Sequence, residues 1–350
     1  MRSALQSPLA GIPSPFGRRR RGGFSIAALF PNDERGAWLE PVSDFVTTDA
    51  ESGISTITAR AGTITEATQT VPDARPTFDD PGMTFDLVDD NLDMDFTGSG
   101  GFEATLLQGS AEGIIHAKVS VPDDVYTITQ DPSFFASGNI RGGYVLREGD
   151  LTSSEVTSVK NSLLSGGSGA NFAGVTSMQE WFRDRTDLVE LYSGDWDTSS
   201  VTDFLAFARG ASSLVTLDVS GWDTSSVTNF GFFARGASSL VTLDVSGWDT
   251  SSVNDFGDFA NGASSLTTVT VNGGTGNPFA DSPCTDYGLA FADTNLTQQS
   301  IDDILVAINA AGTSNGTFDQ SGGSAPSTTG ETAIDAMRGR GWTITVTGGY

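Results

Sequence analysis

Hydrophobic positions in the second half of the chain recur with a period of 26 residues. Four tandem units begin at Val175, Val201, Val227 and Val253, and the second and third units are nearly identical. Each unit opens with three apolar residues spaced three apart, which favours a helical or 3₁₀ turn with these side chains facing inward. The triplets are Val175, Met178, Trp181; Val201, Phe204, Phe207; Val227, Phe230, Phe233; and Val253, Phe256, Phe259. A short fixed period predicts a solenoid, in which each unit buries its apolar face against its neighbours.

The second part of each unit predicts a short strand. After a G-A-S-S turn at residues 210–213, 236–239 and 262–265, the pattern L-x-x-L-x-V follows, with one degenerate copy. The alternation of Leu217 with Val219 is that of a strand with one buried side. One turn and one strand per unit predict a leucine-rich-repeat-like rod with a parallel sheet over residues 175–278.

Short runs of alternating apolar and polar residues fill residues 37–164, for example STITARAGTITEATQTV and GIIHAKVSV. They predict antiparallel strands in a sandwich or jelly roll. This β-rich domain ends in one helix, for which Thr152 and Glu155 form a capping box. The Gly- and Ser-rich residues 165–174 are expected to be a flexible linker.

Residues 279–350 predict an α/β cap over the open edge of the solenoid. An amphipathic helix begins after Thr297 and ends near Gly312, and a second short helix precedes a strand from Trp342 to Val346. The expected fold class is mainly β with short helices, combining an antiparallel N-terminal domain with a leucine-rich-repeat-like solenoid.

Charge separates the first 36 residues from the rest. Residues 1–36 hold six of the 18 basic residues and two of the 44 acidic ones, so the remainder has 12 basic against 42 acidic residues, a net charge of -30. We expect residues 1–36 to be a docking arm, with Arg18, Arg19, Arg20 and Arg21 as its contact residues. The alternative for residues 1–24 is a disordered tail. The acidic body is expected to bind neither nucleic acid nor anionic lipid.

Several kinds of chemistry have no support in the sequence. With one cysteine, Cys284, and one histidine, His116, an internal disulfide and a Cys/His zinc cluster are excluded. His116 lies in an alternating strand, which argues against a catalytic base, and no carboxylate pair stands out for glycoside hydrolysis. No stretch approaches the about 20 apolar residues of a membrane span. The Arg run followed by FSIAALF is a poor signal peptide. We expect a protein that is not an enzyme.

Two columns of residues in the repeats are candidates for contact with a receptor. Asp218 and Asp244 alternate with buried positions and should point outward from the sheet. Trp222 and Trp248 align in successive units, either in the core or as an exposed carbohydrate platform. Asp197, Asp223 and Asp249 precede the turns and are expected to cap them, with calcium as the alternative. Calcium is also the alternative for the acidic run FDLVDDNLDMDF at residues 85–96. We expect no resident cofactor.

The repeat motif G-A-S-S-L-x-x-L-x-V-S-G-W-D-T-S-S resembles the BspA-type leucine-rich repeats, a 26-residue repeat family of bacterial surface proteins. Ala211, Ala237 and Ala263 stand where that family usually has cysteine, a swap that keeps a small side chain inside. The resemblance implies surface attachment and protein binding. The basic, Gly-rich leader and the segment ALF…GAW…P, about 40 residues, resemble the N-termini of tail-associated structural proteins of tailed phages and prophages.

Together these resemblances imply a non-enzymatic virion component, in a tail, baseplate or head fibre, that displays the repeats for attachment to a host. Its expected partners are other virion proteins through the arm and a host surface protein or glycan, with no membrane insertion. A homo-oligomer is expected because attachment gains from multiple copies. A bacterial surface adhesin and a glycan depolymerase tailspike are the alternatives.

Overall fold

A computed structural model gives the structure of the protein. It describes residues 36–39, 46–48, 54–58, 61–62, 66–68, 77–78, 83–84, 91–97, 99–109, 113–129, 139–140, 144–163, 172–271 and 278–350.

The described chain is mainly β with three short helices, which confirms the expected fold class. The strands before the repeats are β1 (Gly36–Leu39), β2 (Val46–Thr48), β3 (Ile54–Thr58), β4 (Ala61–Gly62), β5 (Glu66–Thr68), β6 (Thr77–Phe78), β7 (Met83–Thr84), β8 (Asn91–Asp95), β9 (Phe102–Gly109), β10 (Ile114–Val121), β11 (Val125–Thr129), β12 (Asn139–Ile140) and β13 (Tyr144–Glu148). Helix α1 (Ser153–Leu163) follows, and the repeats carry β14 (Leu188–Tyr192), β15 (Thr216–Asp218), β16 (Thr242–Asp244) and β17 (Thr268–Thr270). The C-terminal part contains β18 (Asp286–Phe291), α2 (Gln298–Ala310), β19 (Thr317–Gln320), α3 (Thr328–Arg338) and β20 (Thr343–Thr345).

The strands that precede the repeats pair antiparallel with one another, as their alternation predicts. Met94 of the sheet β11-β8-β5-β3-β2, and Phe96 directly after its strand β8, belong to the same buried core as Leu106 and Val119 of the sheet that contains β9 and β10. Both sheets therefore contribute apolar side chains to the core.

The N-terminal region and the repeats share one nine-stranded sheet, in the order β17-β16-β15-β14-β10-β9-β13-β1-β4. Strand β14, in the first repeat, pairs antiparallel with β10, so that Ala117 lies opposite Leu191. The expected flexible linker is wrong at its C-terminal end, because Phe172 is fully buried against Trp181 and Trp196. The first coil of the solenoid thus has no free strand edge toward the N-terminus.

The repeats stack with a 26-residue register, as their period predicts. Thr216 lies opposite Thr242, and Thr242 opposite Thr268, in parallel strands. On the other long side of each coil, parallel bridges join Ser177 to Asp203 and Asn229 to Asp255. Every unit therefore contacts the next along both sides of the coil.

The turn side of each coil is not a helix, which corrects the expected helical or 3₁₀ turn. Ala206 has φ 56° and Gly210 has φ 74°, each at the third position of a hydrogen-bonded four-residue turn, as in type II turns. A 3₁₀ helix requires consecutive right-handed residues, whereas here a left-handed residue recurs four positions later. Every second N–H group of the segment donates to the next coil, for example Ala206 N to Gly231 O at 2.9 Å and Gly210 N to Arg235 O at 2.7 Å.

Three ladders of stacked aromatic rings fill the solenoid. Trp222 and Trp248 are parallel, with ring centroids 6.2 Å apart and planes 1° apart. The ring centroids of Phe204 and Phe230 lie 5.5 Å apart, with an angle of 2° between the ring planes. Phe207, Phe233 and Phe259 stack in the same way. Each ring covers the face of the ring in the preceding unit, so the stack is continuous from coil to coil.

Helix α1 packs over strands β9, β10 and β13 of the nine-stranded sheet. Its capping box forms as predicted, because Thr152 N donates to Glu155 Oε2 at 2.8 Å and Glu155 N to Thr152 Oγ1 at 3.3 Å. Val159 packs in a small second core over the opposite side of β9, β10 and β13, together with Leu107, Ile114 and Val145. Beyond β10, the same side of the sheet carries exposed side chains, among them Thr216 and Thr242.

The C-terminal part continues the stack and covers its edge. Strand β18 extends the turn side, since Ala260 N donates to Ala290 O at 2.8 Å. Helix α2 lies where the next strand would be, with Thr297 as its N-cap. The buried Ser300 hydroxyl bonds both the N–H of Val269, at 2.8 Å, and its carbonyl, at 3.2 Å. These bonds satisfy backbone groups of the outermost strand, β17.

Candidate interaction surface

The open side of strands β14 to β17 forms a surface that we call the outer face. Leu191, Leu217, Leu243 and Val269 point into the core, so the residues beside them in each strand point outward. The outer face consists of Glu190, Tyr192, Thr216, Asp218, Thr242, Asp244, Thr268 and Thr270.

Small and β-branched side chains make the middle of the outer face flat. Val215 and Val241, the residues directly before β15 and β16, border the outer face and are 41% and 40% exposed. Thr216 and Thr242 are also exposed and lie directly opposite each other. Val and Thr have few rotamers, so a partner that binds here immobilises little side-chain entropy.

Asp218 and Asp244 lie on the outer face as predicted, at the ends of their strands. Asp244 is exposed and Asp218 is half-buried. Asp218 Oδ1 accepts hydrogen bonds from Ser220 N at 3.1 Å and Ser220 Oγ at 2.7 Å, and Asp244 Oδ1 accepts from Ser246 N at 3.0 Å. Each carboxylate thus orders the turn that follows its strand and adds an acceptor to the outer face.

Trp222 and Trp248 are not receptor-facing, and that prediction is wrong. They are 4% and 1% exposed, and both pack in the aromatic ladder with the Phe rings of the turn side. Trp222 Nε1 donates to Ser193 O at 3.0 Å. The flat indole buries more area between coils than any smaller residue, which explains its place in the core.

The stacked carboxylates of Asp197, Asp223 and Asp249 are held by backbone N–H groups. Their Oδ1 atoms accept from the N–H two residues further on, at 3.2, 3.0 and 2.9 Å respectively. The Ser225 hydroxyl and N–H lower the pKa of Asp223. Because residues 172–271 contain no helix, these bonds are Asx turns and not the helix caps that the sequence suggested.

A cluster of polar residues lies at the N-terminal border of the outer face, where β14 pairs with β10. The His116 ring stacks on Tyr192 with centroids 4.5 Å apart, and the Tyr192 hydroxyl donates to Glu190 Oε2. Burial lowers the pKa of His116 to about 4, so its imidazole is neutral at pH 7. Lys118 Nζ lies 3.0 Å from Asp150 Oδ1, a contact that raises the pKa of Lys118.

This cluster was missed in the sequence, although a signal for it exists. The first unit keeps the frame L-x-x-L at Leu188 and Leu191, which places Glu190 and Tyr192 at the positions of Thr216 and Asp218. The pairing partner of that strand, β10, lies about 70 residues earlier and has no local signal. His116 packs as a neutral ring in a strand, in line with the interpretation of its sequence context.

Some of the other residues singled out in the sequence lie outside the described part of the chain. Arg18, Arg19, Arg20 and Arg21 are outside the described residues, as are three acids of the candidate calcium run, Asp86, Asp89 and Asp90. Where the structure does describe the chain, no three His, Cys, Asp or Glu side chains are grouped so as to hold a metal ion. None of the helices α1 to α3 has the length and hydrophobicity needed to cross a bilayer.

Comparison with known proteins gives one match. No curated protein and no solved structure matches the chain. Residues 154–272, which are 119 of the 350 residues, match the model of a protein family described as Mycoplasma protein of unknown function, DUF285. The stretch from helix α1 to the residue after the buried Val271 is therefore the part of this chain that is similar to the DUF285 family.

Proposed function

We propose that this chain is a non-enzymatic virion protein that presents the outer face of its repeats to the surface of a host cell. The observation that carries the proposal is the outer face itself, an exposed, flat set of Thr, Val and Asp side chains on a solenoid stiffened by aromatic ladders. Such a surface is pre-organised for contact, because its strands are fixed on both sides.

The resemblance of the repeats to the BspA type supports an attachment role. The resemblance of the first 40 residues to tail-associated phage proteins supports the virion setting. The basic arm then joins the particle, and the acidic body projects from it. The partners proposed are other virion proteins for the arm and a host protein or glycan for the outer face.

Mass spectrometry of purified particles from the source tests the setting. We expect this chain to be among the virion proteins, and a variant that lacks residues 1–24 to fold but to be missing from particles. Normal incorporation of the truncated chain would refute the docking role of the arm.

Charged substitutions test the outer face. Thr242→Lys places a long cation at its exposed centre, and we expect adsorption of particles to host cells to fall about tenfold or more. Val306→Lys, at a 41% exposed position on α2, is the matched control and should leave adsorption unchanged. If both variants adsorb like the wild type, the outer face is not the contact surface.

A cell-surface adhesin is the second candidate, because the matching family is described from Mycoplasma, a cellular organism. Detection of the chain on the outside of cells that carry no prophage favours this candidate. Detection in particles alone favours the virion protein.

A further inference from the structure

The turn side of the repeats carries a second surface, on the opposite side of the core from the outer face. Phe204 and Phe207 are buried in the core, whereas Leu205 and Arg209 are partly exposed. Three arginines occupy one position in successive units, namely Arg183, Arg209 and Arg235, and Asn261 follows in the fourth unit. This arginine column stands out on a chain whose net charge is -26.

The arginines differ in how far acidic residues neutralise them. Arg183 contacts Glu180 at 2.7 Å and Asp184 at 3.2 Å, both in its own unit. The positions of these two acids are taken by Ala206 and Gly210 in the second unit. In the described part of the chain, no carboxylate lies within ion-pair distance of Arg209.

In the third unit Phe232 and Gly236 take the places of those acids, so Arg235 also has no acidic neighbour in its own unit. Among the described residues, its ion pair is with Asp258 of the following unit, at 3.4 Å. Positive charge is therefore least compensated at the second and third units.

Phe232 lies between these two arginines and is unusual among the aromatic residues of the repeats. The guanidinium carbons of Arg209 and Arg235 lie 5.8 and 5.4 Å from its ring centroid. It is the one phenylalanine within residues 172–271 that is not fully buried. Its φ of 58° is a conformation that bulky residues rarely adopt.

The core does not require this ring, since the corresponding residue of the second unit is Ala206, in the same conformation. The left-handed backbone recurs at this position in every unit and is imposed by hydrogen bonds to the next coil, such as Phe232 N to Gly257 O at 2.9 Å. The fold does not require a large apolar side chain there, so its partly exposed place between two cations points to a ligand.

We propose that Arg209, Phe232 and Arg235 bind an acidic polysaccharide whose sugars carry carboxylates. A guanidinium group matches a carboxylate in its fork geometry, and an aromatic ring packs against the apolar face of a sugar. Successive coils are joined by parallel β pairing, so equivalent positions recur at about 4.8 Å, a distance of the same order as one pyranose unit in a linear chain. Arg209 and Arg235 can therefore contact carboxylates of the same uronate chain.

The acidic body does not prevent this contact. At physiological ionic strength the screening length is about 8 Å, so carboxylates elsewhere on the protein repel a bound polysaccharide only weakly. The arginines attract it strongly because they are in direct contact with it. The inference goes beyond the proposed function and does not depend on the virion setting, because it concerns a different face and the isolated protein.

Calorimetric titration of the full chain with oligogalacturonate at 0.15 M salt tests the proposal. We expect saturable binding that the double variant Arg209→Gln/Arg235→Gln weakens about tenfold or more. Phe232→Ala should weaken it by about threefold to tenfold, and this variant keeps the fold because alanine is the natural residue in the second unit.

Arg183→Gln is the control, because it removes one positive charge from the same column at a site that two acids already neutralise. Retained binding in this variant supports the proposal. An equal loss in all variants would show a general charge effect and overturn it. Binding of polyglutamate as tight as that of oligogalacturonate would also overturn it in favour of an acidic peptide, and the absence of binding to either would reject the site.

Discussion

At the scale of single residues, the distance between successive coils decides which side chains are allowed. A Cβ on Gly221 would overlap the carbonyl oxygen of Gly194 in the preceding coil. The same position one unit later, Gly247, has as its nearest atom the Ser220 carbonyl oxygen at 3.6 Å from an added Cβ. Two glycines in the same sequence context, S-G-W-D, therefore have different steric requirements.

We predict that Gly221→Ala lowers the free energy of unfolding by about 2–4 kcal/mol, because the backbone of one coil must shift. Gly247→Ala should change it by less than about 1 kcal/mol, and in the stabilising direction if the unfolded chain loses entropy. Urea unfolding of both variants measures the difference. Equal effects would mean that the two coil contacts are the same in solution.

His116 gives a pH dependence whose sign follows from its environment. Burial lowers its pKa to about 4, whereas the unfolded chain has about 6.5. Between these values the unfolded state binds a proton that the folded state does not, so stability is lost as the pH falls from 6.5 to 4. We predict a contribution of about 2–3 kcal/mol to that loss.

The variant His116→Phe keeps a ring against Tyr192 but does not titrate. Its free energy of unfolding should fall less than that of the wild type over this pH range, as measured by urea unfolding at a series of pH values. Identical pH profiles would show that the imidazole is not buried.

At the scale of elements, the sequence predicted which side chains face inward better than it predicted the backbone that carries them. The positions of Phe204, Phe230 and their neighbours follow from the period alone. The left-handed conformation of Ala206 and Phe232 does not, because neither residue type favours it and only the hydrogen bonds to the next coil impose it. The same limit applies to Trp222, whose burial depends on stacking between coils.

The covering of strand β17 depends on one hydroxyl group. In Ser300→Ala the N–H and carbonyl groups of Val269 lose a buried partner, while the N-cap bond from Ser300 N to Thr297 remains. We predict a loss of about 1–3 kcal/mol in the free energy of unfolding and faster amide exchange at Val269. Ser264→Ala removes an exposed hydroxyl bond at 3.5 Å and is the control, with an expected change below about 0.5 kcal/mol. Unchanged exchange at Val269 would contradict the capping role.

At the scale of the whole molecule, the sequence predicted five segments, whereas the structure shows strands from two of them in one sheet. The pairing of β10 with β14 joins residues far apart in the chain. The alternation of apolar and polar residues in each strand specifies which face is buried, but it does not specify which strand lies next to it. The arginine column was missed for a related reason. Its charges matter only when the coils bring Arg209, Phe232 and Arg235 together.

Removal of residues 279–350 should expose β17 and the fourth turn segment at the same time. We predict that the shortened chain, residues 1–278, aggregates at micromolar concentration, as measured by light scattering, because the unpaired strand edge and the buried faces of Phe256 and Phe259 become accessible. Removal of residues 1–24 is the control for chain shortening. A monodisperse fragment as stable as the full chain would show that the C-terminal segment is dispensable for closure.

The register between neighbouring units has a consequence for how this gene evolves. Each end of the stack is covered by an element that contacts only the outermost coil. Strand β10 pairs with β14 at one end, and α2 bonds to β17 at the other. The interior coils are nearly identical in sequence. Unequal crossing-over within the near-identical second and third units would insert or delete whole coils without disturbing either terminus. We therefore expect related genes to differ in copy number by multiples of 78 nucleotides, three for each of the 26 residues that separate Thr202 from Thr228.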